Sequence, residues 1–201
     1  MLKNIAFDLG GVVVMHNEEG FKKYLGDFFS FVFGTTMKGT PQFWIDFDNG
    51  VLTLDETAVE VAKFRNCDVA TAKCNIERAI ELQEEVLPTI ALIKELKVRG
   101  YKLYVLSNMS KEYIEFLRKL SVFELFDGQI VSCEVGCGKP HREIYEILLS
   151  RYELNPAETI FIDDRIDNVQ VAAEMGITPF HFDRQNPERA CDELRKVIYN
   201  E

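Results

Sequence analysis

The chain has 201 residues, 47% of them hydrophobic and 28% charged, and a formal net charge of −10. That composition excludes intrinsic disorder, and the length suits one domain or one domain carrying an insertion. The acidic balance argues against a nucleic-acid partner and against an anionic membrane surface, both of which require clustered Lys and Arg.

The N-terminal MLKNIAFDLGG runs straight into a strand-like segment. It has neither the apolar region nor the cleavage site of a signal peptide. No apolar stretch approaches the roughly 18 residues of a spanning helix, so a cytoplasmic location is expected. Residues 5–14 read as a strand buried on both faces followed by a loop, interrupted by Asp8, Gly10 and Gly11. Residues 17–86 differ, with Phe28, Phe29, Phe31, Phe33, Phe43, Trp44 and Phe47 concentrated there. A helix is expected over 53–63, with Thr53 as N-cap and Asp55 and Glu56 in its first turn. Another is expected over 71–87, ending before Pro88.

From Pro88 the alternation is regular. Helices are expected over 89–98, 110–120, 142–152, 166–175 and 187–199, and strands over 102–106, 129–132, 159–162 and 178–182. Strands alternating with helices imply an α/β fold, a Rossmann-like three-layer parallel sheet. The first two strands would be separated by roughly 90 residues, far more than an ordinary crossover. A helical cap inserted after strand 1 accounts for this, giving a core of residues 1–16 and 87–201 and a cap of residues 17–86.

The five cysteines, Cys67, Cys74, Cys133, Cys137 and Cys191, do not suggest a disulfide framework. Cys133 and Cys137 could be half of a metal site, but no second pair follows and His141 alone does not complete one. Reduced cysteines are the expectation.

Ligands of an open parallel sheet bind beyond the carboxyl ends of its strands. Those ends carry Asp8, then Ser107 and Asn108, then Lys139 in a Gly-rich loop, then Asp163 and Asp164 with Asp167 and Asn168 beyond. Each has a plain structural reading: Asp8 as a turn residue, Ser107-Asn108 as a helix cap, Lys139 as a solvated charge, the Asp pair as a helix N-terminus. Their joint occurrence, in order, at four strand ends points instead to one site. Clustered carboxylates attract a hard cation such as Mg²⁺, which lets an acidic protein hold a phosphate. Asp8 can act as nucleophile, Lys139 can offset charge, and Ser107 and backbone N–H groups after Asp8 can bind phosphoryl oxygens.

The segments FDLGGV (7–12), LSN (106–108), GKP (138–140) and FIDDRIDN (161–168) resemble the four motifs of the haloacid dehalogenase superfamily. The resemblance covers the core, about two-thirds of the chain, and the insert resembles that superfamily's first type of cap. It implies Asp8 as nucleophile and metal ligand, and Ser107 as the phosphate-binding hydroxyl. It implies Lys139 as the third-motif lysine, Asp164 as the main fourth-motif metal ligand with Asp163 in support, and the Gly10 carbonyl as a further ligand. Asn108 and Gly11 join Ser107 and Lys139 as expected phosphate contacts. The implied activity is a Mg²⁺-dependent phosphatase acting on a small phosphorylated metabolite.

One departure stands out. Phosphatases of the superfamily usually carry a second Asp two residues after the nucleophile, as general acid and base, and this chain has Gly10. General acid–base help is worth roughly 10²–10⁴-fold. The Gly pattern, and the segment FWIDFDNGVLTLDE (43–56), resemble a branch that includes glucose-1-phosphate phosphatases. Two alternatives remain open: a catalytically degenerate member that binds a phosphate compound or a protein, and a 2-haloacid dehalogenase, which would not need the Asp163-Asp164 pair. His16 and Asn17 could border the pocket or form a hinge. Arg165 could pair with Asp163 or touch substrate, and Trp44 could belong to the cap core or line a specificity surface.

Overall fold

A computed structural model of the protein describes residues 1–32 and 39–200; Phe33 of the expected aromatic cluster lies outside them. In chain order the elements are β1 (Asn4–Phe7), β2 (Val14–His16), α1 (Glu18–Tyr24), α2 (Gln42–Asp48), α3 (Leu54–Arg65), α4 (Val69–Glu81) and β3 (Gln83–Glu85). There follow α5 (Leu87–Val98), β4 (Lys102–Ser107), α6 (Lys111–Leu117), β5 (Gly128–Val131), α7 (Ser132–Val135) and α8 (Arg142–Arg151). The chain ends with β6 (Thr159–Asp163), α9 (Ile166–Glu174), β7 (Thr178–His181) and α10 (Pro187–Tyr199).

Five strands form one parallel sheet in the order β5-β4-β1-β6-β7. Successive side chains of a strand alternate between faces. Ile5, Phe7, Leu103, Val105, Ile160 and Ile162 accordingly pack with α5, α6 and α10 on one side. Ala6, Tyr104, Leu106 and Phe161 pack with α8 and α9 on the other. Both faces are thus covered, and β1 is buried along its length in the centre of the sheet. That placement puts Asp8, the first residue beyond β1, at the middle of the sheet's carboxyl edge.

Helices α1 to α4 gather around an apolar cluster of their own, built on Phe21, Phe29, Trp44, Phe47, Val61 and Ile76. Thr53 caps α3 through a reciprocal capping box with Glu56, as the sequence predicts. Tyr113 and Phe116 of α6 pack against this cluster as well as against the core. Among the described residues no helix is long and apolar enough to cross a membrane.

Three local expectations are corrected. The helix expected over 71–87 is α4, which starts at Val69 behind the Asp68 cap and ends at Glu81. Pro88 does not close it; it stands in the first turn of α5, where its missing N–H costs nothing. Residues between them form β3, which pairs antiparallel with β2, so the two connections of the insert are zipped together. Finally, part of the expected loop 133–140 is the single turn α7.

Candidate active site

β1 stops at Phe7 because the backbone then folds into a tight turn, in which the Leu9 carbonyl accepts N–H groups from Val12, Val13 and Val14. Asp8 is anchored by its own N–H to Ile162 of β6. Its Oδ1 accepts from Ser107 Oγ at 2.7 Å, Leu9 N at 2.7 Å and Lys139 Nζ at 2.9 Å. Charge-assisted bonds of this kind are roughly twice as strong as neutral ones, so the carboxylate is firmly oriented.

Lys139 is buried and spends all three of its N–H donors, on Asp8, on Asp163 Oδ2 at 2.6 Å and on the Leu106 carbonyl at 2.8 Å. Burial alone would lower its pKa. The Asp163 and Asp8 carboxylates outweigh that and hold it above the ordinary lysine value, so it stays charged. Asp163 is fully buried and serves as the other half of this pair, with Asn168 Nδ2 at 2.9 Å and the Arg165 N–H at 2.8 Å as further donors.

Asp164 lines the cleft with Asp8. Burial, and then the Asp8 charge, raise its carboxyl above the usual Asp value, and Arg184 at 2.9 Å from Oδ2 partly offsets them. Gly11 runs against this carboxylate with φ +77°, and a Cβ there would stand 2.8 Å from Asp164 Oδ2. Gly11 is glycine for that close approach. Its N–H is donated to the Val14 carbonyl at 2.7 Å, so a phosphate oxygen would have to compete for it. Asn108 likewise has its side-chain amide engaged, with both polar atoms bonded to the Lys139 backbone at 2.7 Å. Gly10 lines the cleft, and a Cβ there would meet nothing within 4 Å.

Ligand atoms of Asp8, Asp163 and Asp164 lie within 4.8 Å of one another, a set that can hold a metal ion. All are hard oxygen donors, which suit Mg²⁺ over a soft transition metal. Among the described residues the buried Oδ1 of Asn168 in the same cleft has no hydrogen-bond partner, an acceptor that fits a donor such as a metal-held water. Lys139 pairs with Asp8 and Asp163, Arg184 pairs with Asp164, and Arg165 adds positive charge near Asp164.

The cleft has a volume of about 610 Å³. Trp44 has both roles weighed for it, packed in the apolar cluster and lining the cleft. His16 lines the cleft from β2, its ring against Phe21, and burial lowers its pKa. Asn17 caps α1. Arg165 meets Asp163 through its backbone and also lines the cleft. The sequence did not single out Asp48, Tyr113 or Arg184, which reach the cleft from α2, from α6 and from the loop after β7. None lies in a strand-end motif, and only the fold brings them there.

A family model described as haloacid dehalogenase-like hydrolase matches residues 2–176. The chain is 34% identical over 109 residues to a sesquiterpene phosphatase of Aspergillus oryzae, a match covering 54% of this chain and 55% of that protein. It is 25% identical over 206 residues to D-ribitol-5-phosphate phosphatase of Bacteroides thetaiotaomicron, covering 96% and 95%. The chain spans about half the length, or less, of the Aspergillus protein and of several other curated relatives it matches. Among solved structures, the magnesium complex of a Bacteroides thetaiotaomicron enzyme of this family superposes with a TM-score of 0.69 at 25% identity, covering 88% of this chain and 91% of that one.

Proposed function

This chain belongs to the haloacid dehalogenase-like hydrolase family, and on that premise we propose that it is a Mg²⁺-dependent phosphatase, a phosphoric monoester hydrolase acting on a small phosphorylated metabolite. The observation that carries the reading is the Asp8 carboxylate, oriented by Ser107 and Lys139 within reach of Asp164. We assign residues 1–16 and 87–201 as the catalytic core and 17–86 as the cap over it.

Asp8 attacks phosphorus and forms an aspartyl-phosphate, which water then cleaves. Lys139 balances the charge on nucleophile and phosphoryl group. Ser107 turns its hydroxyl from Asp8 to a phosphoryl oxygen, and Asn108 holds the Lys139 loop in register. Asp8 and Asp164, with the Gly10 carbonyl, would hold Mg²⁺, and Asp163 would support them from behind. The bound ion supplies charge neutralisation at the transferring phosphoryl group.

A phosphorylated sugar or polyol is the favoured substrate, on the Gly10 pattern and the likeness to a ribitol-5-phosphate phosphatase. The five free cysteines fit a reducing compartment such as the cytoplasm. The test is a phosphomonoester panel assayed with Mg²⁺ and with a chelator, beside Asp8→Asn. Phosphate release that needs both Mg²⁺ and Asp8 is the expected result. Binding of Mg²⁺ and phosphate without turnover of any ester would favour the degenerate reading that Gly10 motivates. Halide release from a 2-haloacid in the presence of chelator would favour a dehalogenase, against the intact Asp163-Asp164 pair.

A further inference from the structure

Gly10 leaves the cleft without a carboxylate at the usual acid–base position, although nothing within 4 Å fills the space. For a leaving group that needs a proton, the donor is then sought elsewhere on the cleft wall. A guanidinium is too weak an acid for this role, which sets aside Arg165 and Arg184. Burial drives the Tyr113 phenol far above its ordinary value. Glu18 is exposed in the first turn of α1, on the solvent side of the cleft wall. Burial lowers His16, which favours its neutral form.

We infer that Asp48, at the end of α2 in the cap, protonates the leaving group in place of the residue missing at Gly10; this rests on the phosphatase reading above. Asp48 lines the same cleft as Asp8, and it borders the adjoining recess with Asn108 and Lys139. It is fixed to the core from two sides. Its carboxyl accepts the Ser110 N–H, and its carbonyl accepts from Ser132 Oγ. Behind it Gly50 lies so close to α7 that a Cβ would stand 2.7 Å from the Cys133 carbonyl oxygen. A carboxylate at a helix C-terminus is disfavoured, which helps the protonated form. Burial raises the carboxyl to about 7, Asp8 pushes it the same way, and Arg165 and the Ser110 N–H oppose them. Tyr113 of α6 and Cys133 of α7 also face it.

An oxygen of Asp8 bonds to phosphorus while the bond from phosphorus to the ester oxygen breaks, and the Asp48 proton passes to that oxygen to give the alcohol. The Asp48 carboxylate then takes a proton from water as the water oxygen attacks phosphorus, releasing phosphate and restoring Asp8.

The experiment compares wild type, Asp48→Asn and Asp48→Asn with Gly10→Asp on two esters: 4-nitrophenyl phosphate, whose leaving group needs little protonation, and the best alkyl phosphate of the panel. The ratio kcat/KM reports the step up to phosphoryl transfer. In Asp48→Asn it falls by roughly 10²–10⁴-fold on the alkyl ester and by about tenfold or less on the aryl ester. The aryl ester also gives a nitrophenolate burst, because hydrolysis of the phospho-enzyme has slowed. Gly10→Asp, whose Cβ would meet nothing within 4 Å, recovers much of the alkyl activity. Equal losses on both esters would mean that Asp48 only docks the cap, and would overturn the inference. So would a wild type that cleaves only the aryl ester, or an Asp48→Asn with undiminished alkyl activity. Hydrolysis that survives Asp8→Asn would instead sink the Asp8 nucleophile, and a wild type that cleaves neither ester would sink the phosphatase reading itself.

Discussion

The side-chain amide of Asn108 closes on the backbone of Lys139 from both directions: Oδ1 accepts the Lys139 N–H and Nδ2 donates to its carbonyl, each at 2.7 Å. Gly138 makes room for the clamp, since a Cβ there would stand 2.9 Å from Asn108 Oδ1. The clamp sets where the Lys139 ammonium emerges between Asp8 and Asp163. Asn108→Ala removes both bonds, and is expected to cost about 1–3 kcal/mol of stability at typical net values. It should lower kcat more than it raises KM. Urea unfolding and steady-state kinetics check this; a variant with wild-type kcat contradicts the positioning role.

Gly10 and Gly11 are neighbours with opposite tolerances. Gly10→Ala enters open space, whereas Gly11→Ala presses on Asp164 Oδ2 from a backbone at φ +77°. The left-handed conformation costs a non-glycine residue roughly 1–2 kcal/mol before any displacement. Gly11→Ala should therefore weaken both turnover and the thermal shift produced by Mg²⁺, while Gly10→Ala keeps the shift. Equal Mg²⁺ shifts in the two variants would contradict the placement of Asp164 as a ligand.

Asp127 offers a test away from the site. Burial pushes its carboxyl up, but Lys97 at 2.7 Å, the Leu103 N–H at 2.9 Å and Lys102 at 3.1 Å together hold it below the ordinary value. A folded-state pKa below the unfolded one gives stability that is present above the unfolded value and lost as pH falls through the folded one. Asp127→Asn should cost about 1–3 kcal/mol at neutral pH, the range for hydrogen bonds to charged groups less solvent screening. The gap from wild type should close on acidification below 3.8. A gap that widens with acid would contradict the assignment.

Much of this architecture is legible in the sequence because strand ends are. Asp8, Ser107 and Asp163-Asp164 each close an apolar run of strand character, Lys139 stands in the loop beyond β5 and α7, and a parallel sheet brings such ends to one edge. β2 and β3 escape sequence reading because three-residue strands show no alternation. The overextended helix after residue 71 comes from reading Pro88 as a terminator, when the same residue equally starts a helix. Asp48 lies in the segment 43–56 that the sequence marks, but nothing local gives it a role. It ends a seven-residue helix, and its relation to Asp8 exists only once the insert folds back over the sheet. The engagement of the Asn108 amide is equally invisible, because it depends on a partner 31 residues away, whereas the Gly11 N–H is taken up within its own turn by the Val14 carbonyl.

The central claim is that Asp8 carries the phosphoryl group, and acid quench during turnover tests it most directly. With Mg²⁺ and a substrate from the phosphomonoester panel, the account predicts an acid-stable phosphoryl adduct on the peptide containing Asp8. The adduct should be absent with chelator and absent in Asp8→Asn. Undiminished phosphate release by Asp8→Asn, with no adduct on that peptide in wild type, would contradict it.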